Sequence, residues 1–194
     1  MATFSPAVRL EELIASCQRC RVVDKPYVKY GVYGWLPRRV KTLAIGESPP
    51  PGKKEGLLYN LQAFDRLRLS LKLVLNLQAD GEVLETLRRL QVFFTAAVKC
   101  RPPSLRSLQA MRPNCVYLLR EELRLLKPSR VVAMGRTAAA SLSEILNLKP
   151  PETVREIVKL KVGGFEVAFT PHPNYLFRFG RHLIPQVRSL LTRP

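Results

Sequence analysis

Val92–Pro103, VFFTAAVKCRPP, is the stretch on which the reading of this chain turns. Its first seven residues, Val92 to Val98, are β-branched, aromatic or small and carry no charge, as suits a strand buried on both faces. Lys99, Cys100 and Arg101 then set two cations and a soft ligand at its C-terminal tip. Pro102 and Pro103 stop the strand, because proline fixes φ and supplies no ladder donor. A buried strand ending abruptly in basic and reactive residues is where an open α/β sheet carries its site. A core strand with an incidental cysteine is the plainer reading.

Working outward, Val40–Gly46 (VKTLAIG), Arg130–Gly135 (RVVAMG) and Phe165–Thr170 (FEVAFT) read as three more buried strands. Apolar residues three and four apart predict helices over 57–75 (Leu57, Leu61, Phe64, Leu67, Leu71), 82–90, 104–126 and 136–146, with a closing helix over 180–191. Pro113 must start or kink a helix in the third of these. Residues 6–16 form a short helix that delivers Cys17, and 147–160 read as a loop with a helical turn. Strands alternating with helices predict a single domain over 1–194, a three-layer α/β/α fold around a four-stranded parallel sheet. The strand tips then carry Glu47-Ser48, Lys99-Cys100-Arg101, Gly135-Arg136 and His172-Pro173-Asn174. All four open on one edge, so polar groups far apart in sequence share one cleft.

Charge narrows the partner. Thirty-two Lys and Arg against fifteen Asp and Glu give a net charge of +17, which favours a polyanion. No apolar run approaches the roughly 18 residues of a spanning helix, and MATFSPAVRLEEL lacks the basic start and apolar block of a signal peptide. Nucleic acid rather than a membrane is therefore the expected partner, in the cytoplasm. Sixteen prolines, three methionines and more Arg than Lys fit a heat-adapted source.

Four cysteines remain to be explained: Cys17 and Cys20, two residues apart, and Cys100 and Cys115, fourteen apart. A Cys-x-x-Cys loop bites one metal centre readily, but zinc sites commonly repeat that knuckle and the second pair does not. A four-thiolate iron–sulfur cluster tolerates uneven spacing if the fold gathers the pairs. Zinc and disulfides stay open. With thiolate at every corner no position is left for Lewis-acid catalysis, so the centre is structural and braces the cleft.

Gly46-Glu47-Ser48-Pro49, Thr95–Pro103 (TAAVKCRPP), His172-Pro173-Asn174 and the cysteine spacing together resemble the iron–sulfur uracil-DNA glycosylases of families 4 and 5. The resemblance covers Cys17 to about Arg181. It implies a four-stranded parallel sheet, a [4Fe-4S] cluster on the four cysteines, and hydrolysis by base flipping of the bond between uracil and deoxyribose in single- or double-stranded DNA, by a monomer acting in repair. Family 4 has Asn where this chain has Ala96, and Thr-Ala-Ala-Val is similar to family 5 instead. Leu57-Leu58-Tyr59 stands where family 4 places its stacking ring.

The resemblance assigns catalysis to Glu47 and His172, and a base pocket to Gly46, Ser48, Tyr59, Ala96 and Asn174. His172 would donate to uracil O2 as charge grows on the leaving base; the competing reading bonds it to its own loop. Glu47 orients a water or offers only its backbone N–H. Tyr59 stacks on the base or packs beneath the loop, and Asn174 bonds the base or caps the turn. DNA binding falls to Lys53, Lys54, Lys99, Arg101, Arg178 and Arg181, with Leu176 and Phe177 as an apolar wedge or as ordinary core. Two function classes stand: a glycosylase for uracil and other deaminated bases, and a non-catalytic iron–sulfur DNA-binding relative.

Overall fold

In a computed structural model that describes residues 5–21 and 24–193, the sheet consists of β1 (Thr42–Gly46), β2 (Val92–Ala96), β3 (Arg130–Met134), β4 (Val158–Val162) and β5 (Phe165–Thr170), in the order β2-β1-β3-β5-β4. β2, β1, β3 and β5 run parallel, with Ala44 opposite Phe94 and Val132, and Val132 opposite Ala168. The fold class is as expected, but the sheet has five strands rather than four. β4 is the addition: it pairs antiparallel with β5 through the turn at Gly163-Gly164. Its sequence, VKLKV, begins inside the 147–160 stretch expected to be loop. Lys159 and Lys161 lie exposed along it, as they do on an outer strand protected from further pairing. Its short, half-exposed pattern left little apolar signal.

The helices are α1 (Pro6–Ser16), α2 (Pro26–Lys29), α3 (Arg66–Leu75), α4 (Val83–Arg89), α5 (Leu105–Leu126), α6 (Arg136–Leu146), α7 (Pro173–Arg178) and α8 (Ile184–Thr192). α1, α5 and α6 pack together as one layer, and α3, α4, α7 and α8 as the other. Pro113 sits inside an unbroken α5. The helix expected over 57–75 begins only at Arg66. Asp65 caps it by accepting from Arg68 N at 2.8 Å, and 57–65 is irregular. Leu57 is buried, with Leu58 and Tyr59 beside it, but Leu61 and Phe64 are exposed, so the three-to-four spacing there marks no helical face.

β2 is the critical strand. It lies at an open edge of the sheet, yet all five of its residues are buried. Buried carbonyls without partners would be costly, and side chains supply the partners. Tyr59 Oη donates to Phe94 O at 2.5 Å and Lys99 Nζ donates to Ala96 O at 2.6 Å. Lys99 is itself 0 % exposed and reaches Glu122 Oε2 at 2.6 Å and Thr95 Oγ1 at 2.7 Å. Glu122 Oε1 also accepts from Tyr33 Oη (2.6 Å) and Thr95 Oγ1 (2.8 Å).

Removing one partner of such a pair leaves a bare buried charge. Lys99→Met should therefore lower the unfolding free energy by about 3–5 kcal/mol, and Lys99→Met with Glu122→Gln should recover a good part of it, because the amide still accepts from Tyr33 and Thr95. Chemical denaturation checks this. A single-variant loss below about 1 kcal/mol would show that the pair is not buried.

Candidate active site

The C-terminal ends of the parallel strands frame a cavity of about 730 Å³. Gly46 ends β1 with Glu47 and Ser48 after it, Thr95 and Ala96 end β2, His172 and Asn174 follow β5, and Tyr59 comes from the roof loop; all line it. Gly46 is required at its position, since a Cβ there would sit 2.9 Å from Phe94 Cε1. Gly135, at φ +92°, turns β3 into α6 so closely under the histidine that a Cβ would lie 3.2 Å from His172 Cβ. The tip at Gly135-Arg136 thus supports the cavity without lining it; Arg136 faces a smaller recess with Pro150 and Pro151.

His172 has one defined tautomer. Its Nδ1 accepts from Asn174 N at 3.2 Å, so the ring proton belongs on Nε2. Nε2 has no protein partner among the described residues, and it is not sealed in, since the sealed unpartnered polar atoms there are Ser141 and Ser143 Oγ. Burial lowers the imidazole from its ordinary 6.5 to about 4, which keeps the ring neutral near pH 7. The backbone bond and the donor therefore coexist: one nitrogen fixes the ring and the other is offered to the cavity.

Glu47 Oε2 accepts from Thr137 Oγ1 at 2.8 Å, which aims the carboxylate from β1 toward α6. Ser48 Oγ is taken by Pro49 O. Asn174 is tethered to α3 through Ser70 Oγ, 2.9 Å from its Oδ1. Tyr59 is a wall: its hydroxyl is committed to β2 and its ring lies 6.1 Å from that of Phe93. Ala96 brings only a methyl group to the cavity lining.

Lys99 and Arg101, expected to meet DNA, do not reach the surface. Lys99 is sealed in the pair with Glu122. Arg101 is 5 % exposed, its Nε on Asp24 Oδ2 (2.7 Å) and its Nη1 on Pro50 O (2.7 Å). Arg68, unremarked in the sequence, is its counterpart: it holds Asn60 O (3.0 Å) and Ala63 O (2.7 Å) and pairs with Asp80. These two forks pin an otherwise irregular roof over the cavity. Leu176 is also corrected, being 0 % exposed core rather than a wedge. Phe177 is half-buried under Arg181. Phe179, just past the end of α7, is the exposed ring of that segment, and a helix continuing through it would have hidden the difference. Lys53, Lys54, Arg178 and Arg181 are exposed, and Lys54 lines the cavity. Glu122 had a legible signal: an acid on the apolar stripe of α5 with Leu118 and Leu119.

Four thiols gather beside β2. Cys17 caps α1, Cys20 follows in the next turn, Cys100 follows β2 and Cys115 lies on α5; none is in a disulfide. Cys100 is pushed up to about 12, by burial first and then by Cys115, Cys20 and Cys17. Burial also raises Cys115, against a hydrogen bond from Lys99 N that favours its thiolate. Asn114 Nδ2 lies 3.6 Å from Cys20 Sγ. Among the described residues no three such ligands close on a single-ion site. The donor set, four cysteine sulfurs from three elements with no three of them closing on one ion, fits a multi-atom group better than one bare ion.

No helix among the described residues is long and apolar enough to cross a membrane. The profile of the Uracil DNA glycosylase superfamily matches residues 33–190. Similar proteins include a Type-4 uracil-DNA glycosylase of Pyrobaculum aerophilum, 29% identical across 88% of this chain and 84% of the relative. A Type-5 uracil-DNA glycosylase of the same organism is 26% identical across 93% and 88%. A Type-5 uracil-DNA glycosylase of Mycobacterium leprae is 25% identical across 94% and 84%. The match spans the sheet, the cavity and the histidine loop, and by it the chain belongs to the Uracil DNA glycosylase superfamily.

Proposed function

We propose that the protein hydrolyses the N-glycosidic bond of uracil in DNA, taking the flipped nucleotide into the cavity above the parallel strands. The observation that carries this is His172, a neutral imidazole that lines the cavity with Nδ1 anchored to Asn174 N and Nε2–H without a protein partner among the described residues. Cleavage of that bond builds negative charge on the base and positive charge on the sugar. A donor already desolvated and oriented stabilises the first without waiting for a proton. Glu47, held by Thr137, faces the second charge or orients the attacking water. Tyr59, Phe94 and Ala96 give the base a largely apolar seat, which favours tolerance of other deaminated bases over tight reading of the uracil edge. Lys53, Lys54, Arg178 and Arg181 neutralise phosphates. The lack of an amide at Ala96 is the one feature favouring the second reading, a relative that binds DNA without cutting it.

Cys17, Cys20, Cys100 and Cys115 would hold a [4Fe-4S] cluster, whose contribution is to tie α1, β2 and α5 together and to balance four thiolates, two of them buried. About four irons and four sulfides per chain in anaerobically prepared protein is the expected analysis; stoichiometric zinc without iron would refute it.

The activity is tested with uracil-containing oligonucleotides, single-stranded and duplex, under single-turnover conditions. Wild type should leave alkali-labile sites, and His172→Ala should be slower by about a hundred- to a thousand-fold, the cost of one donor to a developing anion. DNA affinity should change little, because phosphate contacts carry most of it. Wild type that binds but releases no base from uracil, hypoxanthine or xanthine DNA would establish the binding reading instead.

A further inference from the structure

The three most exposed large apolar side chains among the described residues are Phe64 (73 %), Phe179 (71 %) and Leu105 (63 %), and two of them, Phe64 and Leu105, line the cavity. Single apolar side chains scattered over a surface need no explanation. Two meeting at the mouth of one cavity, from separate elements, are a different matter.

Neither is exposed for want of a local partner. Phe64 directly precedes Asp65, the cap of α3, a position from which an apolar residue ordinarily folds back against the fourth helical residue, here Leu69. It does not. Its backbone is fixed instead: a Cβ on Gly56 would lie 2.9 Å from Phe64 O, and the next residue, Asp65, is buried. The roof loop is thus pinned on both sides of a ring that points away from it. Leu105 opens α5 after its cap, Ser104, across the same mouth.

Arg66 lies two residues after Phe64 and Arg106 directly after Leu105, both exposed; Lys54 lines the same cavity, and its neighbour Lys53 is exposed too. Among the described residues none of these four makes an ion pair. Glu55, the exposed acid of the rim, is engaged by Lys29 and Tyr30. Rigid apolar groups interleaved with uncommitted cations match a strand whose bases are available for stacking and whose phosphates run alongside.

We propose that Phe64 and Leu105 form an apolar lip that receives the nucleobases flanking the target nucleotide, and that it does so in unpaired DNA. In a duplex both faces of a flanking base are covered by its neighbours until one is flipped out. In a single strand they are free. The lip therefore tilts recognition toward single-stranded substrate. This deepens the glycosylase reading and rests on it for the identity of the target, though not for the contact itself.

The test uses undamaged fluorescein-labelled oligothymidylate and a duplex of the same length, so no catalysis is needed. Phe64→Ala should weaken single-strand binding on the order of tenfold, and Leu105→Ala less, while duplex affinity moves by less than about twofold. Phe64→Trp should restore single-strand binding. Val158→Ala, which removes an exposed apolar group on β4, should change neither. Unaltered melting temperatures check that the variants fold. Equal losses on both DNAs, or none, overturn the lip, and so does self-association of wild type abolished by Phe64→Ala. If wild type releases uracil and Phe64→Ala binds single strands normally, the lip alone is wrong. If wild type releases none and Phe64→Ala loses single-strand binding, the activity alone is wrong.

Discussion

The whole arrangement depends on how β2 is held at the edge of the sheet. An edge strand buried along its full length has carbonyls that no neighbouring strand can reach, and in this protein Tyr59 and Lys99 reach them. Lys99 brings a charge with it, and Glu122 of α5 balances that charge at no exposure to solvent. The three residues that follow one another at the strand tip then each secure a different part. Lys99 joins the strand to α5, Cys100 joins the cysteine group, and Arg101 clamps the roof loop through Pro50 and its pairing with Asp24. Lys99 and Cys100 are adjacent, so the wall of the cavity and the cysteines share one short segment. This is why a run read as reactive and DNA-facing proves to be the internal brace.

The sequence made the parallel strands plain because each is a short apolar block ending in Gly, Pro or a polar cluster. That alone placed Glu47 and His172 on one edge, while Ala96 was named only by the family resemblance. It hid β4, whose lysines mark an outer strand but dilute its apolar pattern. It also hid the irregular roof, where Leu57, Leu61 and Phe64 keep helix-like spacing although only Leu57 of them is buried. The cations were the hardest to place. A lysine or arginine looks the same in sequence whether it meets phosphate or a buried partner, and the partners of Lys99, Arg101 and Arg68 lie 23, 77 and 12 residues away. Only Glu122, an acid on an apolar helical stripe, announced that some cation would be buried opposite it.

What the fold delivers to the cavity is a small set of oriented groups against apolar walls. Gly135 lets the histidine loop approach, Asn174 N fixes Nδ1, and burial removes the charge. A protonated imidazole would interact more strongly with an anionic base, but it would have to be maintained in a site that burial makes hostile to it. A neutral donor needs no such maintenance and is present at any pH well above its titration.

The pH dependence of single-turnover uracil release therefore tests the account most directly. If His172 acts as the neutral Nε2–H donor, with its titration lowered from 6.5 to about 4, the rate should pass through pH 6.5 without a break attributable to His172, and any such inflection should lie near 4. It should be missing in the residual activity of His172→Ala. A wild-type rate that instead rises with acid around a midpoint near 6.5, and loses that rise in His172→Ala, would mean that the cation is the working form and that the neutral-donor account is wrong.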